Sequence, residues 1–266
     1  MMFNKRTVLA TALALAAVCS HAHDLWFKPS STVLSKADWV TVDAAVSNDV
    51  FFFNHRPLGL EAVKVSAPDG ADVAMQNVLK GELRSVFDFK AEQSGTYRVA
   101  MVAAGVMGGY KDAKGQMKRL RGSVEDILKQ VPADATEVRV IETQRRMETF
   151  VSVGKPSALA VTGKGLELKP ITHPNDLVSS EEARFVFLLD GKPAANLEVE
   201  LVADGIRYRD GVDAMQLKTD AEGVLKVKFP RPGLFWLSTQ AKDQKTSIAK
   251  ATERSLSYVA TLEVLP

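Results

Sequence analysis

Apolar and polar residues alternate with a period of two through most of the chain. Trp39–Val46, Ala62–Ala67, Leu83–Lys90 and Thr96–Val102 each follow a mostly two-residue period, the signature of half-buried strands. Turn residues separate them: Pro68-Asp69-Gly70 after the second, and Gln93-Ser94-Gly95 before the fourth. A polar turn followed by Gly-Thr-Tyr-Arg-Val is what a late strand of an immunoglobulin-like sandwich looks like. Arg139–Val153 reads as one long strand returning to the sheet. Between them, the glycine-rich stretch from Gly105 to Gly115 is expected to be a flexible loop or hairpin tip. One helix is expected, over Ser123–Gln130: Ser123 suits an N-cap, and Glu125 and Asp126 suit the positive end of a helix.

The same rhythm resumes after Gly154-Lys155-Pro156-Ser157, a cluster that marks a domain boundary. Strands are predicted at Ala183–Leu189, Leu197–Val202, Val224–Phe229, Pro232–Ser238 and Tyr258–Val264. Asp190-Gly191-Lys192-Pro193 and Lys218–Gly223 form turns between them. The pattern predicts an all-β protein of two β-sandwich domains, the first immunoglobulin-like (residues 23–154) and the second over 157–266, with one short helix.

The first 22 residues break the alternation. Lys5 and Arg6 precede an uncharged apolar run, Val8–Val18, and small residues stand at Ser20 and Ala22. That is the layout of a secretory signal peptide cut after Ala22, and the run is too short for a membrane span. A lipoprotein cut before Cys19 is the competing expectation, weakened by Val18 where a small residue belongs. The expected destination is the periplasm, with no transmembrane segment after processing. The whole sequence carries 34 Lys and Arg against 32 Asp and Glu. Lys5 and Arg6 are the only charges before residue 23, so the processed chain is formally neutral, which argues against nucleic acid as a partner. Cys19, the only cysteine, would leave with the signal, and with it any disulfide or thiolate ligand.

Processing after Ala22 would make His23 the first residue. Its free amine and ring nitrogen then address one metal, and a second histidine completes a nitrogen site suited to copper. The remaining candidates are His55, in Phe51-Phe52-Phe53-Asn54-His55-Arg56-Pro57, and His173, in Thr172-His173-Pro174-Asn175-Asp176. Asp24 and Asp176 are weaker carboxylate candidates. Imidazole serves copper, nickel and zinc alike, so the ligand type leaves the metal open. A histidine left at a cleavage site, or one capping a turn, is the plain structural alternative. No nucleophile elbow, zinc-protease helix or phosphate loop is present, so the chain is read as a non-enzyme with no catalytic residues. Arg139, Arg145 and Arg146 with Lys118, Arg119 and Arg121 make a modest basic cluster, read as a solvated face.

Three stretches carry a family resemblance: His-Ala-His-Asp-Leu-Trp-Phe-Lys-Pro at 21–29, Glu-Leu-Lys-Pro-Ile-Thr-His-Pro-Asn-Asp-Leu at 167–177, and Tyr-Arg-Asp-Gly at 208–211 with Thr-Asp-Ala-Glu-Gly at 219–223. With them the chain resembles a periplasmic domain-of-unknown-function family often labelled a nickel-uptake, NikM-like periplasmic component. The second half also resembles prealbumin-like, carboxypeptidase-regulatory-type modules. The family resemblance implies a periplasmic protein serving uptake or homeostasis of nickel, cobalt or copper. It further implies an outer-membrane TonB-dependent receptor or an inner-membrane transporter as partner, and it points to His23 and His173 as ligands. A metal-free adaptor supporting a receptor is the alternative, and a copper enzyme built on His23 a third reading.

Overall fold

The computed structural model describes residues 23–266. The expected signal segment, Cys19 and the cut expected after Ala22 lie outside the described residues. Strands dominate, as the alternation predicts. In chain order the first half contains β1 (Asp24–Pro29), β2 (Val33–Leu34), β3 (Asp38–Ser47), β4 (Arg56–Pro57), β5 (Val63–Ser66), β6 (Asp72–Val73), β7 (Gln76–Lys80), β8 (Ser85–Ala91), β9 (Gly95–Lys111) and β10 (Met117–Arg121). The helix α1 (Val124–Lys129) and the long strand β11 (Thr136–Val153) close it. The second half contains β12 (Leu166–Pro170), β13 (Glu182–Leu189), β14 (Lys192–Pro193), β15 (Glu198–Ala203), β16 (Met215–Lys218), β17 (Val224–Lys228), β18 (Gly233–Asp243) and β19 (Glu253–Val264).

These strands form three sheets. A 5-stranded sheet runs β1-β3-β8-β7 with β4 on β3, and a 4-stranded sheet joins β12, β13, β14 and β17. Between them lies a 10-stranded sheet whose main path is β16-β15-β18-β19-β11-β9-β5-β6. The two halves of the chain therefore share one sheet. The join is a parallel pair, β11 with β19, in register from Ile141↔Glu253 to Thr149↔Thr261. A parallel pair requires a long crossover, and here the crossover is the entire second half.

Period-two alternation lets the shared sheet serve two cores. Met147, Val151 and Val153 on one face of β11 join Tyr97, Val99 and Met101 of β9 beneath the 5-stranded sheet, against Val40, Val42, Phe87 and Phe89. On β18 and β19 the opposite face, with Leu237, Leu256 and Tyr258, meets Phe185 and Phe187 of the 4-stranded sheet. Phe187 and Tyr258 cross edge to face at 5.7 Å. The smaller sheets thus cover opposite faces of the shared sheet, each over one half. Trp236 belongs to the first core and donates from Nε1 to the Leu25 carbonyl at 3.0 Å. Thr261 Oγ1 donates to the Phe27 carbonyl at 2.6 Å, a second tie from the C-terminal half to β1.

Several sequence features explain local geometry. Ser123 caps α1, accepting from the Asp126 N–H at 3.1 Å. Tyr97 Oη accepts the Gln93 N–H at 2.6 Å, so the tyrosine ring closes the turn that precedes its own strand. In the second half, Gly223 has φ of +74°, and a Cβ there would meet the Phe187 carbonyl oxygen at 2.8 Å.

One expectation is corrected. The segment from Gly105 to Lys111 is not a flexible loop; it is the end of β9, paired with β10 and β11. Only Asp112–Gly115 turns, with the Gly115 N–H donating to the Asp112 carbonyl at 2.8 Å. Glycine is needed there for packing rather than flexibility. A Cβ on Gly108 would lie 2.3 Å from Ile127 Cγ2, and Ile127 is the fully buried residue that seats α1 on the strand.

Candidate functional site

His23 stands immediately before β1, and Asp24 opens the ladder opposite Ser47. His55 stands immediately before β4, whose Arg56 lies opposite Val46 on the other side of the same strand β3. The connecting loop is shaped by its aromatics. Phe51 takes a left-handed φ of 60°, and its ring meets Trp26 at 5.5 Å, edge on. Phe53 meets the same indole at 5.1 Å. Trp26 is fully buried and donates from Nε1 to Ser47 Oγ at 2.6 Å. Asn54 closes the loop, accepting the Asn48 N–H at 2.9 Å and donating to Asp49 Oδ2 at 2.7 Å. The result is that the His55 ring lies on the His23 ring, centroids 3.9 Å apart and planes 13° from parallel. Both residues are exposed.

The His55 pKa lies below its ordinary value. Desolvation is the leading cause, followed by repulsion from His23 and from Arg56. The neutral imidazole, the form with a free lone pair, is therefore favoured at neutral pH. Parallel stacking sets the nitrogens of two rings side by side rather than converging. Two nitrogens bound about 2.0–2.1 Å from one metal at right angles lie about 2.9 Å apart.

His173 is not brought to this pair. Its Nδ1 accepts the Asn175 N–H at 3.1 Å, which leaves the proton on Nε2, and Nε2 donates to the Ser157 carbonyl at 3.1 Å. Thr96 Oγ1 lies 3.2 Å from the same nitrogen. Ser157 and Thr96 hold each other reciprocally: the Thr96 N–H donates to Ser157 Oγ at 2.9 Å, and the Ser157 N–H donates to Thr96 Oγ1 at 3.0 Å. Burial is the main cause that pushes the His173 pKa down, opposed by the Ser157 carbonyl and Asp176. His173 is thus a neutral hydrogen-bond node that fastens the crossing segment to the first sandwich. It sits by Thr96, at the end of the sandwich where Asp38 pairs with Ala91, whereas His23 sits at the end where Asp24 pairs with Ser47. The 10 residues of β3 between those ends span roughly 30 Å. Asp176 is exposed near His173, and Asp24 lies beside His23. Among the described residues, no group of three or more His, Cys, Asp or Glu side chains comes together as a ready metal site.

Beside His23 lies an open groove of about 670 Å³, on the part of the Met147 face of the shared sheet that extends beyond the 5-stranded sheet. It is lined by His23 and Asp24, by Glu198, Glu200 and Gln216 of β15 and β16, and by Arg145 of β11.

A family model described as a domain of unknown function, DUF4198, matches residues 20–243. The chain belongs to that family. The DUF4198 match takes in His23, His55 and His173, and it ends where β18 ends, although β19 lies at the centre of the shared sheet. No curated protein sequence matches this DUF4198 chain. Among solved structures, the D0–D1 domain of intimin is similar over 90% of this chain and 97% of that one, at 13% identity and a TM-score of 0.23. The Yersinia pseudotuberculosis adhesin InvE is similar over 90% of this chain and 58% of its own, at 12% identity and a TM-score of 0.22. Likenesses at these scores carry no argument about this DUF4198 protein.

Proposed function

We propose that the protein is an exported, periplasmic transition-metal-binding protein that serves uptake or homeostasis of nickel, cobalt or copper. It would act beside an outer-membrane TonB-dependent receptor or an inner-membrane transporter. The observation that carries this reading is the His23–His55 pair, two exposed imidazoles held ring on ring by residues far apart in sequence. The donor chemistry fits a nitrogen-loving metal, and a terminal amine on His23, present if the chain is cut after Ala22, would supply a third nitrogen. A bound metal supplies a positive centre that these nitrogens share. The chain's part is positional: β1 fixes His23, the Trp26-anchored aromatic loop brings His55 over it, and the lowered His55 pKa keeps that imidazole neutral.

The reading replaces His173 with His55 as the partner of His23, because both nitrogens of His173 are used inside the fold. The test compares three proteins by competition with a chromophoric chelator for copper(II) and nickel(II): chain beginning at His23, the same chain with one extra residue before it, and His55→Ala. Native protein is expected to bind most tightly and both variants at least about tenfold more weakly. Equal affinities in all three would refute the site and leave the metal-free adaptor as the better account.

A further inference from the structure

The histidine pair adjoins a group of arginines that the fold gathers from three separate segments. Arg145 lies on β11 opposite Ser257, on the face that carries Met147 toward the 5-stranded sheet. Arg121 lies opposite Met107, which in turn lies opposite Ile141, so alternation puts Arg121 and Arg145 on that same face. β9, β10 and β11 run past the end of the 5-stranded sheet there. At that end stands Arg56, opposite Val46 and so on the side of β3 turned toward the shared sheet. His23 lines the same groove as Arg145, and His55 is the residue before Arg56.

Among the described residues, none of Arg56, Arg121 and Arg145 forms an ion pair. The adjacent Arg146, on the opposite face of β11, shows the contrast: it is ion-paired to Glu148 at 3.2 Å and to Glu167 at 3.4 Å. The Arg145 guanidinium is correspondingly lowered in pKa, chiefly by desolvation and then by the Arg121 and Arg56 charges. Three uncompensated guanidinium groups repel one another. An arrangement of this kind gains most from a ligand that accepts several forked N–H pairs. It also works against a bare cation at the neighbouring histidines.

We propose that Arg56, Arg121 and Arg145 form a binding site for a small multivalent oxyanion, at the arginine end of the groove beside His23 and His55. The acidic residues Glu198 and Glu200 of the same groove stand on β15, with β18 and β19 between them and β11, so the anion lies toward β11. Two sources share this chemistry: a free inorganic anion such as phosphate, and the carboxylates of an anionic metal chelate, whose metal would then face the histidines. The second source rests on the metal-binding reading above; the arginine site itself does not.

The experiment is isothermal titration of the processed protein, in chloride buffer of constant ionic strength, with phosphate, with citrate and with nickel citrate. It uses the native chain, Arg145→Gln, Arg56→Gln, and Lys118→Gln as a charge-matched control on the hairpin that carries Arg121. We expect saturable binding of at least one of these ligands, weakened about tenfold or more by each arginine change and unaltered by Lys118→Gln. The melting temperature of both arginine variants without ligand should equal or exceed that of the native chain, which separates lost binding from lost folding. Nickel citrate binding more tightly than citrate, with that advantage abolished by His55→Ala, assigns the chelate. Equal binding of citrate with and without nickel retains the arginine site while removing the metal reading. Absence of saturable binding for all three ligands, or equal losses in Lys118→Gln and the arginine variants, overturns the proposal.

Discussion

The His55 ring lies 3.9 Å above the His23 ring, and neither position would meet the other without the loop that Trp26 anchors. Metal binding built on this contact should depend on His55 and be indifferent to His173. We expect His55→Ala to weaken copper(II) and nickel(II) binding about tenfold or more and His173→Ala to leave both unchanged, by the chelator competition used above. Because the His55 pKa is lowered, proton competition at that ring should set in only below about pH 6.5, the ordinary imidazole value. Affinity that already declines between pH 8 and 7 in a blocked-amine variant would contradict this.

His173 should instead set a pH dependence of stability. Its folded pKa is depressed below the unfolded value, so the fold favours the neutral ring. The contribution is complete above about pH 6.5 and is lost as pH falls through the folded pKa, because the unfolded chain then binds a proton that the native ring resists. Melting temperatures measured from pH 7.5 to 5 should fall more steeply for the native protein than for His173→Asn. Parallel curves would remove His173 from the account.

Gly108 should tolerate no side chain while Ile127 is in place. Gly108→Ala drives a methyl into Ile127 Cγ2, an overpacking expected to cost about 1–3 kcal/mol. Urea denaturation of Gly108→Ala, Ile127→Ala and the double variant should give a non-additive cycle, the second change costing less once the first is made. Additive losses would mean that α1 does not rest on Gly108.

Arg254 bridges two carboxylates, with Nη2 at 2.6 Å from both Asp190 Oδ2 and Asp243 Oδ2, and its side chain is 7% exposed. Its pKa is raised, first by the hydrogen bonds to Asp243 and Asp190, and the two aspartates are lowered by the same contacts. Arg254→Met strands two acids around an apolar chain. Asp190 is 35% exposed, so solvent screens part of the loss. We expect about 2 kcal/mol of destabilisation at pH 7 by urea titration, shrinking toward pH 3 as the unfolded-state carboxylates protonate. A loss independent of pH would assign it to packing alone.

The sequence by itself determined many of the strands, though not the glycine-rich end of β9, and it determined the cap and the turns, because each depends on neighbours along the chain. Alternation at Trp39–Val46 and Ala183–Leu189, Ser123 ahead of its helix, and Asp220 before Gly223 all fix local backbone geometry without outside help. It also marked the three histidines, and it grouped Arg121 and Arg145 in a basic cluster. The tertiary structure alone decided which of these meet. Alternation tells which residues share a face, but not which strands lie side by side. Strand pairing is made by backbone hydrogen bonds that are nearly blind to side chains and join residues far apart in sequence. So the parallel union of β11 with β19 and the single sheet through both halves were not legible, and neither was the removal of His173 to the far end of the sandwich. The same holds for Arg145 and Arg146: adjacent in sequence, they point to opposite faces of β11, one to a pair of buried glutamates and the other to the arginines beside His23 and His55.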